Sequence, residues 1–156
     1  DLAAHQGARF VELIHRLELP RDSCVRTLEA AAAIGWVQRN PGHGHPLRPE
    51  YILTEAGAAA AARAATIAEA QSAIGLPPGA ATRWGLPLVA GIGAGHDRFN
   101  ALSRLLAPAT PRALSQGLTA LGQHGLVTRQ LLDLRPPASR YDLTRTGALL
   151  AAACAS

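Results

Sequence analysis

Arg112, Ser115, Gln116 and Thr119 recur at i, i+3, i+4 and i+7, a spacing that gathers them on one face of a helix. The face carries a guanidinium, an amide and two hydroxyls and no carboxylate. An amide in that position can bond adenine in a major groove, and a guanidinium can take guanine or a phosphate. Leu114, Leu118 and Leu121 alternate with them at i, i+4 and i+7, so the opposite face is apolar and seats the helix. Thr110-Pro111 starts it, because Thr caps the first free amides and Pro at the first helical position loses no hydrogen bond.

Cations follow along the chain. Arg129, Arg135 and Arg140 fall in or beside a loop, Gln130 to Ser139, between two alternating stretches, Leu126 to Arg129 and Arg140 to Thr144. They read as a β-hairpin whose loop can reach phosphate or a minor groove. His43-Gly44-His45 lacks a third ligand in register, so these are loop histidines rather than a metal site. Gly91-Ile92-Gly93-Ala94-Gly95 lacks the preceding buried strand and spaced acid of a nucleotide-binding loop, and reads as the turn after a helix. No paired carboxylates or Ser/His/Asp set stands in a convincing context, so the expectation is a protein that is not an enzyme and holds no cofactor. Cys24 and Cys154 are too far apart for a metal pair and read as free thiols of a reducing cytoplasm.

The elements that position these residues occur twice. Arg9-Phe10-Val11-Glu12-Leu13 returns as Arg98-Phe99-Asn100-Ala101-Leu102, and Leu17 as Leu106, at an offset of 89. Leu28, Gly35, Val37 and Arg39 return as Leu118, Gly125, Val127 and Arg129 at an offset of 90, and Tyr51 to Gly57 answers Tyr141 to Gly147. The collinear order with a single-residue shift points to duplication.

In the second copy a first helix is expected from a Thr82 cap through Trp84, Leu88, Val89 and Ile92, ending near Gly91 and Gly93. Phe99, Leu102, Leu105 and Leu106 mark the apolar stripe of a second helix. The third helix and the hairpin follow, and Thr144 with Gly147 opens a last helix. This fold class is mainly α with small β-hairpins (α+β), a tandem duplicated winged helix-turn-helix. The expected domains are 1–57, a first module whose first helix is truncated, 58–81, an Ala-rich connecting helix and linker, and 82–156, a second module.

Arg83-Trp84, Arg98-Phe99-Asn100-Ala101-Leu102, Leu114-Ser115-Gln116-Gly117-Leu118, His124-Gly125-Leu126-Val127, Pro136-Pro137 and Tyr141-Asp142-Leu143-Thr144-Arg145-Thr146-Gly147 resemble bacterial transcriptional regulators of the HxlR type. The resemblance covers residues 82 to about 152 well and 9 to 57 less closely. It implies a cytoplasmic repressor or activator binding double-stranded DNA, ordinarily as a homodimer of one-module chains. Two modules in one chain imply a homo-oligomer or an internal pseudo-dimer joined by a helix from Gly57 to Gly75. Gly117 departs from the pattern, since relatives often carry Arg there, and the family's Cys before the first helix is replaced by Gly79, Ala80 and Ala81.

The copies differ in charge. Residues 98–145 hold seven Arg against Asp133 and Asp142, a net of +5, whereas residues 9–57 hold six Arg against Asp22 and five Glu, a net of zero. Phosphate neutralisation supplies most non-specific affinity for DNA, so the second copy is the expected reader. Arg21 and Arg26 are the cations on the third helix of the first, where Asp22, Val25 and Glu29 stand in place of Arg112, Ser115 and Thr119. Two other functions fit: winged helices serving protein interaction or dimerisation without DNA, and a regulator responding to a small-molecule effector bound between modules near Trp84. Trp36 and Trp84 are expected in packing and Cys24 in the core. The chain opens at Asp1 and holds no Met, from which a trimmed start is expected. With no apolar run of membrane-spanning length, no membrane is expected as a partner.

Overall fold

The computed structural model describes residues 7–40, 50–77, 79–133 and 138–155. The chain divides into two units, Asp1–Ala64 and Ala65–Ser156. The described residues are mostly helical, with one small antiparallel sheet in each unit, which makes the chain an α+β protein.

In the first unit β1 (Ala8–Arg9) leads into α1 (Phe10–Leu17), and α2 (Arg21–Ala33), β2 (Val37–Asn40) and β3 (Glu50–Leu53) follow. The Glu12 carboxylate accepts the Arg9 N–H at 3.0 Å, closing the first turn of α1. That helix ends on Glu18 at φ 50°, a left-handed residue with no glycine to ease it. The strands order β1-β3-β2. Ala8, Leu13, Cys24, Leu28 and Val37 form the core, so Cys24 packs as a small apolar side chain, as expected. Trp36 does not: it is 45% exposed, and its backbone is what the fold uses, since the Trp36 carbonyl accepts the Thr54 N–H at 3.0 Å.

The Ala-rich helix α3 spans Glu55–Ala73, beginning two residues before the expected Gly57. It crosses from the first unit's residues into the second's. There Ile67, Ala70 and Ile74 pack on the second core, which accounts for a helix otherwise carried by alanine propensity.

The second unit continues with α4 (Gly85–Gly93), α5 (Phe99–Leu105), α6 (Pro111–Gln123), β4 (Val127–Leu132), β5 (Ala138–Leu143) and α7 (Arg145–Ala155). Leu88, Val89, Leu102, Leu114, Leu126 and Leu150 are fully buried at its centre. Four expectations are corrected here. Thr82 is not the cap of α4: Trp84 is, with Thr82 two residues earlier, its carbonyl accepting the Gly85 N–H at 2.8 Å. Gly91, Ile92 and Gly93 are the last turn of that helix rather than the turn after it, because close packing on α5 and α7 outweighs the poor helix propensity of glycine. Leu105 is 48% exposed, with only one side resting on Gly91 of α4. The hairpin strands run on to Leu132 and back from Ala138, so the loop is shorter than the expected Gln130 to Ser139.

The hairpins of the two units share a register. Val37 pairs with Leu53 and Arg39 with Tyr51, as Val127 pairs with Leu143 and Arg129 with Tyr141, each 90 positions on. Gly35 and Gly125 both take positive φ, 74° and 66°, after their helices, a conformation that favours glycine. Gly57 and Gly147 both sit where a β-carbon would collide with a backbone carbonyl, of Trp36 and Leu126 respectively.

Candidate nucleic-acid interface

Helix α6 is built as its sequence demands. The Thr110 hydroxyl accepts the Ala113 N–H at 3.2 Å with Pro111 in the first turn. Leu114, Gly117, Leu118 and Leu121 are buried, and Arg112, Ser115, Gln116 and Thr119 are all exposed on the outer side. The Thr119 hydroxyl donates to the Ser115 carbonyl at 2.9 Å, so its proton is spent and its oxygen is left to accept.

Gly117 is not on that outer face, although its departure from the family pattern reads as the loss of a contact there. It is buried, and a β-carbon on it would come within 2.7 Å of Leu88 Cδ1 and 3.4 Å of Thr82 Oγ1. Its glycine lets α4 cross α6 closely.

Beside the N-terminal half of α6 runs a cleft of about 840 Å³, walled by Arg98, Asn100 and Arg104 from α5 and its cap, Ser115 from α6, and Arg129 and Ser139 from the hairpin. In the sequence Arg98 and Asn100 are legible only as wording of the repeat, and Arg104 not at all. Their signal is the same as that of α6: polar residues on the outer face of a helix whose Leu102 is buried. Arg129 reaches Ser139 across the hairpin, Nε donating to Oγ at 3.0 Å.

Arg140 is held differently. Its Nε lies 3.2 Å from Asp97 Oδ2 and 3.0 Å from Asp142 Oδ1, and Arg98 Nε lies 3.7 Å from Asp97 Oδ1. The Tyr141 N–H donates to the Asp97 carbonyl at 2.8 Å. This cluster ties the base of the hairpin to the turn before α5. Its side chains are half-exposed, so each pair is worth about 0–1 kcal/mol; the backbone bond does most of the fixing. Arg135, Pro136 and Pro137 lie outside the described residues.

In the first unit Arg21 and Arg26 are exposed on α2. Arg21 stacks on Phe10, its guanidinium carbon 5.3 Å from the ring centroid, which orients it along the protein surface. Arg26 borders a shallow hollow with Ile34 and Trp36. Asp22 and Glu29 are exposed on the same helix. Trp84 packs on the second core with the Arg83 guanidinium 5.4 Å over its ring.

Among the described residues no three His, Cys, Asp or Glu side chains come together as metal ligands; His43 and His45 lie outside them. No helix among them is long and apolar enough to cross a membrane.

Comparison with known proteins picks out the same half of the chain. The family model for HxlR-like helix-turn-helix proteins matches residues 80–156. The HTH-type transcriptional regulator YtfH of Escherichia coli K12 is 33% identical over 66 residues, 42% of this chain and 52% of the relative, and its Shigella flexneri counterpart matches equally. The chain thus spans about half the length of the curated relatives it matches. Among solved structures, a transcriptional regulator of the MarR family from Enterococcus faecalis V583 is 30% identical, covering 59% of this chain and 78% of that one with a TM-score of 0.46. Diamide-treated YodB from B. subtilis is 29% identical, covering 55% and 81%, with a TM-score of 0.45.

Proposed function

We propose, from the premise that residues 80–156 belong to the HxlR-like helix-turn-helix family, that the protein is a transcriptional regulator whose second unit binds double-stranded DNA. One observation carries the reading: the exposed row Arg112, Ser115, Gln116 and Thr119 lies beside a cleft lined by Arg98, Arg104 and Arg129. In this reading α6 enters the major groove, Gln116 and Arg112 meet base edges, Ser115 donates or accepts at the groove wall and Thr119 accepts there. Arg98, Arg104, Arg129 and Arg135 take phosphates. Arg140, engaged by Asp97 and Asp142, sets the hairpin's angle rather than meeting DNA as a free cation.

The chain is also read as two copies of one module. Support comes from the common hairpin register and the paired glycines at 35/125 and 57/147. The first copy is neutral, and its Asp22 and Glu29 stand where the second has Arg112 and Thr119. Two carboxylates facing a phosphate backbone repel it, so Arg21 and Arg26 give at most weak contact. This favours a non-DNA role, protein interaction, for the first unit alone.

Titration of random-sequence duplex at two salt concentrations tests the DNA reading. Binding that weakens steeply with salt and is lost in the Arg112→Ala, Gln116→Ala double variant is the expected result. No binding at low salt overturns it.

A further inference from the structure

In the second unit α4 lies in a trough whose floor can be followed residue by residue. A β-carbon on Gly91 would stand 2.9 Å from Leu105 and 3.1 Å from Leu102, one on Gly93 2.9 Å from Ala151 and 3.6 Å from Leu143, and one on Gly85 3.8 Å from Leu121. Leu88 meets Gly117, where a β-carbon would be 2.7 Å from it. Carried through the offsets of 89 and 90, those floor residues are Arg16, Leu13, Ala61, Leu53, Ala31 and Thr27 of the first unit. All but Arg16 line a single cavity of about 250 Å³ there, with Leu17 and Leu19 at its rim. Its walls are almost wholly apolar, yet Leu17 is 48% and Leu19 36% exposed. No described element of the first unit plays the part of α4: α1 is preceded by the short strand β1.

We propose that this cavity is a docking seat for a helix of α4's chemistry, short and apolar, with small residues where its backbone nears Ala61. The second unit supplies the argument for the occupant, because the matching trough is filled by such a helix. An open-sided apolar trough with Ala31 and Ala61 in its floor suits a helix backbone better than a compact ligand. The two troughs also differ in a way that sets specificity. Ala31 replaces Leu121, so the seat has room for a large side chain where α4 carries Gly85. Thr27 replaces Gly117, so it has less room where α4 carries Leu88. The preferred occupant therefore has its large and small residues exchanged at these two places. Burying the rim leucines supplies the affinity.

The inference rests on the two-copy reading and not on DNA binding. Its test is a fluorescein-labelled peptide of sequence 82–94 carrying Gly85→Leu and Leu88→Ala, stapled on its outer face to hold it helical, titrated with the full chain and read by anisotropy. Saturable binding is expected, at least tenfold tighter than that of the unexchanged peptide. Thr27→Trp, which fills the seat from an exposed position, and Leu17→Asp at the rim should each weaken it at least tenfold, with circular dichroism showing both variants folded. Absence of saturation, or binding indifferent to both variants, overturns the seat. Equal, Thr27→Trp-sensitive binding of a scrambled peptide overturns it too, and shows that the correspondence between the copies is what failed. Random duplex added to the titration leaves the peptide's affinity unchanged, which separates this result from the DNA reading.

Discussion

The Thr144 hydroxyl donates to the carbonyl of Gly125 at 2.7 Å and accepts the Gly147 N–H at 3.1 Å. One side chain thus joins the end of α6, the return of the hairpin and the start of α7. Thr144→Ser keeps both bonds and leaves stability within about 0.5 kcal/mol, whereas Thr144→Val removes the cap and costs about 1–2 kcal/mol. Urea unfolding of the two variants at equal m-value measures the difference.

On the proposed reading, the exposed residues of α6 divide into those that meet base edges and those that meet the groove wall. Replacing Gln116 by Ala should cost about 1–3 kcal/mol against a selected target duplex and much less against random duplex, because an amide reads a base edge and not a phosphate. Competition binding with both duplexes gives the ratio, and an equal loss on the two would remove Gln116 from the reading face.

Arg104 should behave in the opposite manner. As a backbone contact, Arg104→Ala weakens all sequences alike and lowers the slope of log affinity against log salt by about 1. A slope identical to the parent's would place the α5 wall of the cleft outside the interface.

Asp97 sets two effects against each other. Asp97→Asn removes the partner of Arg98 and Arg140, which costs no more than about 1 kcal/mol for such exposed pairs. It also removes a negative charge from the cleft edge, so affinity for random duplex at low salt should rise about two- to fivefold, an increase that fades as salt screens it. Thermal unfolding and a salt series on the same variant read both.

Gly117 gives a prediction contrary to the one its sequence neighbours suggest. Restoring the arginine that relatives often carry would drive a long charged side chain into the α4–α6 contact at Leu88. Gly117→Arg should lose about 3 kcal/mol or more of stability and gain no DNA affinity. A folded variant that binds more tightly would mean that α4 is displaced easily.

Most of what was legible in the chain had a local physical cause. Thr110-Pro111 fixes the start of α6 by capping, and Leu114, Leu118 and Leu121 fix its buried side by periodicity. What escaped depended on contacts distant in sequence. The glycines of α4 are helical because α5, α6 and α7 close around them, and propensity alone reads Gly91 and Gly93 as a stop. Trp36 and Leu105 look like core residues by type, but burial is decided by which side of a helix or turn meets a neighbour, and nearly half of each is left in water. Arg98 and Arg104 carry no special spacing and become part of a cleft only when the hairpin folds beside α5.

Glu18, at φ 50°, lies in a turn whose length differs between the two units. The connection from α1 to α2 is three residues, 18–20, and that from α5 to α6 is five, 106–110, of which Leu106 answers Leu17. The longer turn stays at negative φ without a glycine, while the shorter one forces a glutamate into a backbone well that disfavours it by about 1–2 kcal/mol. Of the two turns, the shorter is therefore the one that holds backbone strain, at Glu18.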